Sequence, residues 1–130
     1  MGNNLKFNSS VCTTREQSQR LLELGLKPET ADMYHTTFYR DNVGYEIIQV
    51  RNEKLPLLSQ ELPAWSLHRL LELCPDCQAE VGNRYATFYY QEWSMDVEDF
   101  QVFENAYDNI IECIMWLISK GYFNKEYLKQ

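Results

Sequence analysis

An α+β domain, with a mainly antiparallel sheet of about four strands and three helices in the order α-β-β-α-β-β-α, is predicted by three features of the sequence. Two leucine-rich stretches and one isoleucine-rich stretch carry apolar residues at helical spacing. β-branched and aromatic runs, broken by turn residues, lie between them. Each helical stretch is also bounded by capping or breaking residues at an end.

The first helix is expected over Thr14 to Leu24. Thr13 and Thr14 offer a cap, Glu16 or Gln17 completes a capping box, Leu21, Leu22 and Leu24 form the apolar edge, and Gly25 stops the run. Pro28 to Met33 adds a helical turn. Thr36 to Arg40 and Tyr45 to Val50 are strand-like and joined by Asp41, Asn42, Val43 and Gly44, which reads as a hairpin. Ser66 caps the second helix, in which Leu67, Leu70, Leu71 and Cys74 share a face until Pro75 ends it. Tyr85 to Trp93 and Phe100 to Phe103 suggest a second hairpin. The last helix, Asp108 to Lys120, has the broadest apolar face, built from Ile110, Ile111, Ile114, Leu117 and Ile118 and widened by Met115 and Trp116. Gly121 sits at its C′ position, and a helix this apolar is expected to lie centrally across a sheet.

The chain has 130 residues, enough for one core but crowded for two. Residues 1–10 are expected to be a flexible N-terminus and residues 11–130 a single α+β domain. No apolar run resembles a signal-peptide core or a membrane span, so a cytoplasmic location is expected, with Cys12, Cys74, Cys77 and Cys113 as reduced thiols. The net charge of −7 belongs wholly to the part of the chain after Gln60, and no Lys or Arg occurs between Arg84 and Lys120. That interval holds Glu92, Asp96, Glu98, Asp99, Glu104, Asp108 and Glu112, a field that repels phosphate backbones and argues against nucleic-acid binding.

Arg-Leu-Leu-Glu-Leu occurs twice, at Arg20 to Leu24 and Arg69 to Leu73, with strand signals after each copy. Two αββ repeats would explain this. So would the ordinary composition of amphipathic helices. The stretches from Ser18 to Leu26, Thr30 to Tyr34, Leu62 to Leu73 and Tyr107 to Tyr122, above all Pro63-Ala-Trp-Ser-Leu67, resemble a family of short uncharacterised proteins of anaerobic gut bacteria and their phages and mobile elements. The resemblance implies a context and no chemistry, and the Cys74/Cys77 pair lies outside the shared pattern.

Cys74-Pro-Asp-Cys77 has redox and zinc precedents. A redox pair needs its first thiol at a helix N-terminus, where the dipole favours the thiolate, whereas Cys74 falls at a helix C-terminus. Zinc needs two more ligands, from His35, His68, Cys12 or Cys113, and no second pair has ligand spacing. Cys74 and Cys77 are therefore weak metal candidates, and no metal or cofactor is expected. A Cys/His nucleophilic pair would draw on Cys12 or Cys113 with His35 or His68. No serine elbow, phosphate loop, dinucleotide fingerprint or metalloprotease motif occurs.

Binding features are more numerous. Tyr34, Tyr39, Tyr45, Tyr85, Tyr89 and Tyr90 fall on or beside strands, where tyrosine serves either packing or recognition. Trp65 precedes the cap Ser66, where a hydrophobic staple to Leu70 accounts for it. The expected role is a non-catalytic protein-interaction or accessory module. The alternatives are a small enzyme with a carboxylate-lined cleft and a zinc-stabilised domain. The expected partner is a basic protein, met by an acidic surface of Glu92, Asp96, Glu98, Asp99 and Glu104, or a second copy of the chain; nucleic acid and membrane are not expected partners. A basic partner held there is expected to leave at high salt, because exposed charges are screened over roughly 8 Å at physiological ionic strength. Affinity capture with a charge-reversal variant at Glu98, Asp99 and Glu104 checks this. The same captured set at low and high salt would assign the acids to solubility.

Overall fold

The computed structural model describes residues 10–75, 78–81, 86–90, 93–95 and 106–129, with the strands at 78–81, 86–90 and 93–95 defined by their backbone pairing. The chain is α+β, with helices α1 (Arg15–Glu23), α2 (Leu67–Leu73) and α3 (Ala106–Lys120). Strands β1 (Met33–Arg40), β2 (Val43–Val50) and β3 (Leu62–Ala64) form one antiparallel sheet in the order β2-β1-β3. Strands β4 (Gln78–Val81), β5 (Ala86–Tyr90) and β6 (Trp93–Met95) form another, in the order β4-β5-β6. The described strands thus make two three-stranded sheets rather than a single sheet of about four. The extra strand of the first sheet is Leu62–Ala64, which its proline hides from a propensity reading. The predicted strand at Phe100 to Phe103 lies outside the described residues. Among the described residues no helix is long and apolar enough to cross a membrane.

Local chemistry places the helices where the pattern predicts. Thr14 accepts from the Gln17 amide while the Gln17 side chain accepts from the Thr14 amide, a complete capping box. Gly25 and Gly121 both take positive φ just past a helix, the backbone state that glycine adopts without a Cβ penalty. Ser66 caps α2 by accepting from the Arg69 amide. In α2 Leu70 and Leu73 are buried, with Leu67 and Cys74 packed against the core, while Leu71 is exposed, so Leu73 takes the place on the inward face that the pattern gives to Leu71.

The core forms around α3. Ile110, Ile111, Cys113, Ile114 and Leu117 are fully buried and meet Leu21 of α1, Leu70 and Leu73 of α2, Trp65, Leu26 and Phe123 in one cluster. Polar ties then set the helix orientation. Arg20 on α1 pairs with the buried Glu112 on α3, and Gln17 donates to Asp108 at 2.9 Å. After α3 the chain folds back so that Lys27 and Tyr127, and Lys129 and Gly25, share backbone hydrogen bonds of 2.8 and 2.7 Å.

The two halves separated by the pentapeptide repeat have different sheets. In the first, the strand that follows the helix is central; in the second, it is at the edge. The first leucine of each copy, Leu21 and Leu70, is a core residue, and each arginine, Arg20 and Arg69, pairs with a glutamate, Glu112 and Glu53. The similarity is that of two amphipathic helices on one core.

Truncation of Ile114 to alanine is expected to cost about 2–5 kcal/mol. Ile114→Asp, which places an unpaired charge in the core, is expected to abolish folding. Urea melts followed by circular dichroism measure both, and a normally folded aspartate variant would place this face outside the core.

Candidate functional site

The β1–β2 hairpin is built from its turn outward. Asp41 and Asn42 take φ of 52° and 65°, positive at both central positions, as in a type I′ turn. Asp and Asn tolerate this left-handed state because their short side chains bond locally. The link is therefore two residues long, and Val43 and Gly44 belong to β2. The register follows: Arg40 faces Val43, Phe38 faces Tyr45, Thr36 faces Ile47 and Tyr34 faces Gln49. Gly44 is opposite Tyr39, and a Cβ there would lie 3.2 Å from the Tyr39 ring and 3.1 Å from the Thr37 methyl. Glycine lets that ring lie down on the strand.

Alternation then divides the side chains. One face carries His35, Thr37 and Tyr39 with Glu46 and Ile48. At its base His35 is buried and bonds the Thr13 carbonyl at 2.8 Å, and Arg15 on α1 lies 3.4 Å from Glu46. A groove of about 560 Å³ opens there, lined among others by Thr14, Arg15, His35, Glu46 and Ile48. The other face carries Phe38 and Tyr45 as a directly opposed aromatic pair, 53% and 51% exposed. It continues through Thr36 and Ile47 to Tyr34, which lines a groove of about 290 Å³ with Arg51, Leu55 and Leu58. The Arg51 guanidinium is spent on structure, donating to the carbonyls of Glu29, Ala31 and Leu55 at 2.8, 3.1 and 3.2 Å.

Past His35, no strand among the described residues pairs with β1 on its β3 side, because β3 pairs only with Met33, Tyr34 and His35. The outer half of the hairpin is thus two-stranded and exposed on both faces: Phe38, Tyr39, Val43 and Tyr45 are all exposed. An isolated two-stranded ribbon is marginal in water, and monomers do not usually display aromatic and branched residues in a group. Tyr39 and Tyr45, which the sequence left between packing and recognition, are on the exposed side. The side chains of Tyr89 and Tyr90, like Tyr85, fall outside the described residues.

The other candidates part company. Glu92, Asp96, Glu98, Asp99 and Glu104 all lie outside the described residues, as does Cys77. Cys74 caps the C-terminus of α2, with its thiol 3.4 Å from the Leu70 carbonyl, the dipole end that disfavours a thiolate. Among the described residues no group of three or more His, Cys, Asp or Glu is placed to hold a metal ion. Cys12 is buried, and burial first, then Asp32, pushes its thiol up to about 11. His35 cannot serve it through Nε2. That nitrogen must carry a proton to donate to the Thr13 carbonyl. Cys113 is fully buried in α3, and His68 is 84% exposed beside Glu72. Trp65 is core, with its indole N–H donating to Thr30 at 2.9 Å. Asp32, which no sequence pattern singled out, accepts from the Ser66 amide and hydroxyl at 2.9 and 2.5 Å and holds the entry to α2.

No family model, curated protein or solved structure matches the chain.

The Cys12 thiol gives a pH prediction. Its folded value lies above the ordinary 9.0, so the neutral thiol favours the folded chain below pH 9 and the unfolded chain deprotonates first as pH rises. Stability from this group is expected to fall from pH 9 towards 11. Urea midpoints of wild type and Cys12→Ala at about pH 8 and about pH 10 isolate it from other titrations. The wild-type advantage should shrink at the higher pH, and a constant gap would contradict the raised thiol.

Proposed function

We propose that the chain is a non-catalytic protein-interaction module whose docking element is the β1–β2 hairpin. The observation that carries this reading is the exposed Phe38/Tyr45 pair on an arm that is two-stranded, among the described residues, at its outer end. Aromatic residues displayed on a defined backbone suit recognition, since they offer large contact area at little rotamer entropy. The type I′ turn and the anchored His35 hold that backbone in one register.

The chemistry around the thiols and histidines supports the same reading. The buried thiols are protonated or packed away, and His35 is engaged with backbone. The acidic residues Glu92, Asp96, Glu98, Asp99 and Glu104 would suit a basic partner by charge alone.

The test replaces Phe38 and Tyr45 together by serine. A cross-strand pair of this kind stabilises by about 0.2–1 kcal/mol, so folding is expected to survive. Affinity capture from native cells with the variant should lose the proteins that wild type retains. An unchanged captured set would remove the hairpin from the reading.

A further inference from the structure

The backbone of β2 carries more information than its side chains. In a two-residue hairpin the residues flanking the turn form a hydrogen-bonded pair, and bonded and non-bonded pairs then alternate along an antiparallel ladder. Val43, Tyr45, Ile47 and Gln49 therefore point their N–H and C=O groups at β1. The bond from the Arg51 amide to the Asp32 carbonyl, 2.9 Å, falls in the same phase two residues further on. Gly44, Glu46, Ile48 and Val50 must point theirs away from the sheet, and among the described residues no strand pairs with that side of β2.

The two edges of this sheet are treated differently. On the β3 side the edge strand has three residues, and its middle one is Pro63. Pro63 faces Tyr34, whose hydrogen-bonding groups are already turned to β2, so the missing N–H costs no ladder bond and the outward side is blunted. On the β2 side the edge has eight residues in unbroken register, with neither Lys nor Pro. Its one charge, Glu46, is near Arg15, and its residues include the exposed Ile48 and Val50, the latter 76% exposed. Among the described residues, a short strand and a proline guard one edge, whereas the other has only Glu46.

We infer that β2 pairs antiparallel with β2 of a second copy of the chain, joining the two three-stranded sheets into one across a twofold axis. The inference rests on the hairpin being the docking element and names its partner. Symmetry and the outward phase leave few registers. With Ile47 opposite Ile47 of the other copy, all four outward residues find partners, Gly44 with Val50 and Glu46 with Ile48. Sliding by two residues in one direction sets Glu46 against Glu46 and leaves Val50 without a partner; in the other direction Gly44 loses its partner. Like charges directly opposite destabilise a pair, so Glu46 disfavours the first slip, and the second leaves one outward residue fewer paired than the central register. The same register sets Tyr45 beside Gln49 and Ile48 beside the stem of Glu46. A contact in which the same patch serves both copies is the commonest closed arrangement of homo-oligomers.

Sedimentation equilibrium on the full chain is expected to give twice the 15.5 kDa chain mass, dissociating on dilution. Ile48→Pro removes an N–H that only the second copy would use and leaves the β1 ladder whole; it is expected to be monomeric with wild-type circular dichroism. Ile47→Cys provides a readout that does not depend on tolerating proline. Directly opposed non-bonded residues have Cα atoms about 4.5 Å apart, within disulfide reach. Mild oxidation should convert Ile47→Cys to a covalent dimer, while Tyr45→Cys, opposite Gln49, should stay with the wild-type control. A wild-type monomer up to the solubility limit, a dimer that persists in Ile48→Pro, or no cross-link above wild type in Ile47→Cys would overturn the inference. A monomer whose captured proteins still depend on Phe38 and Tyr45 rejects the second copy alone. A monomer whose capture ignores them rejects the hairpin as well.

Discussion

The structure depends on one exchange of hydrogen bonds, between Thr13 and Trp65. The Thr13 amide donates to the Trp65 carbonyl at 2.9 Å, and the Trp65 amide donates to the Thr13 hydroxyl at 3.1 Å. Both residues are fully buried, and the same threonine carries a bond to Ser18 at 2.8 Å and accepts from His35. One residue thus ties the entry of α1 to the junction of β3 and α2 and to the base of β1. Low local polarity makes each of these bonds strong and makes any one of them costly to leave unmade. The tryptophan ring then joins the apolar cluster around α3, so the polar junction and the core share a wall. Asp32 extends the junction outward by holding Ser66, and its charge helps keep Cys12 protonated. The polar groups gathered here are engaged in holding elements together, His35 through Nε2 and Thr13 through both its amide and its hydroxyl.

The helices were legible in the sequence because their signals are local. Thr14 with Gln17, Ser66, Gly25 and Gly121 act within a turn of where they sit, and the isoleucines of α3 declare a buried face without reference to anything else. The error in α2 is instructive. Leu71 and Leu73 are equally apolar, and which of them turns inward depends on where α3 lies, a non-local fact. Strand β3 was illegible for a related reason. Three residues with a central proline carry no strand signal, and Pro63 is permitted only because Tyr34 turns its bonding groups the other way. The hairpin itself was readable, but its turn was placed too wide, since Gly44 draws attention as a turn residue while its use is to admit the Tyr39 ring. Whether Tyr39 and Tyr45 pack or face water could not be read from the strand pattern, because a covered ribbon and an uncovered one alternate alike. What packs over each face decides it, and that is a non-local fact.

The contrast between the sheet's two edges is where these local and non-local facts meet. Loss of the proline on the β3 side would free an outward N–H on a strand too short to guide a partner. The β2 side is long enough to guide one, and its conformation is held by the type I′ turn, His35 at the base and Arg15 beside Glu46. Pre-organisation of this kind lowers the entropy cost of adding a strand, because the edge does not have to be ordered on binding. Glu46 is central to the balance. Were it neutral, the slipped register with two such residues opposed would carry no electrostatic penalty. As a charge near Arg15, it does not abolish pairing as an inward lysine would, but it discriminates among registers. In the proposed dimer a single glutamate on this strand would therefore act as a specificity element, penalising the slip that opposes two glutamates, rather than as a barrier.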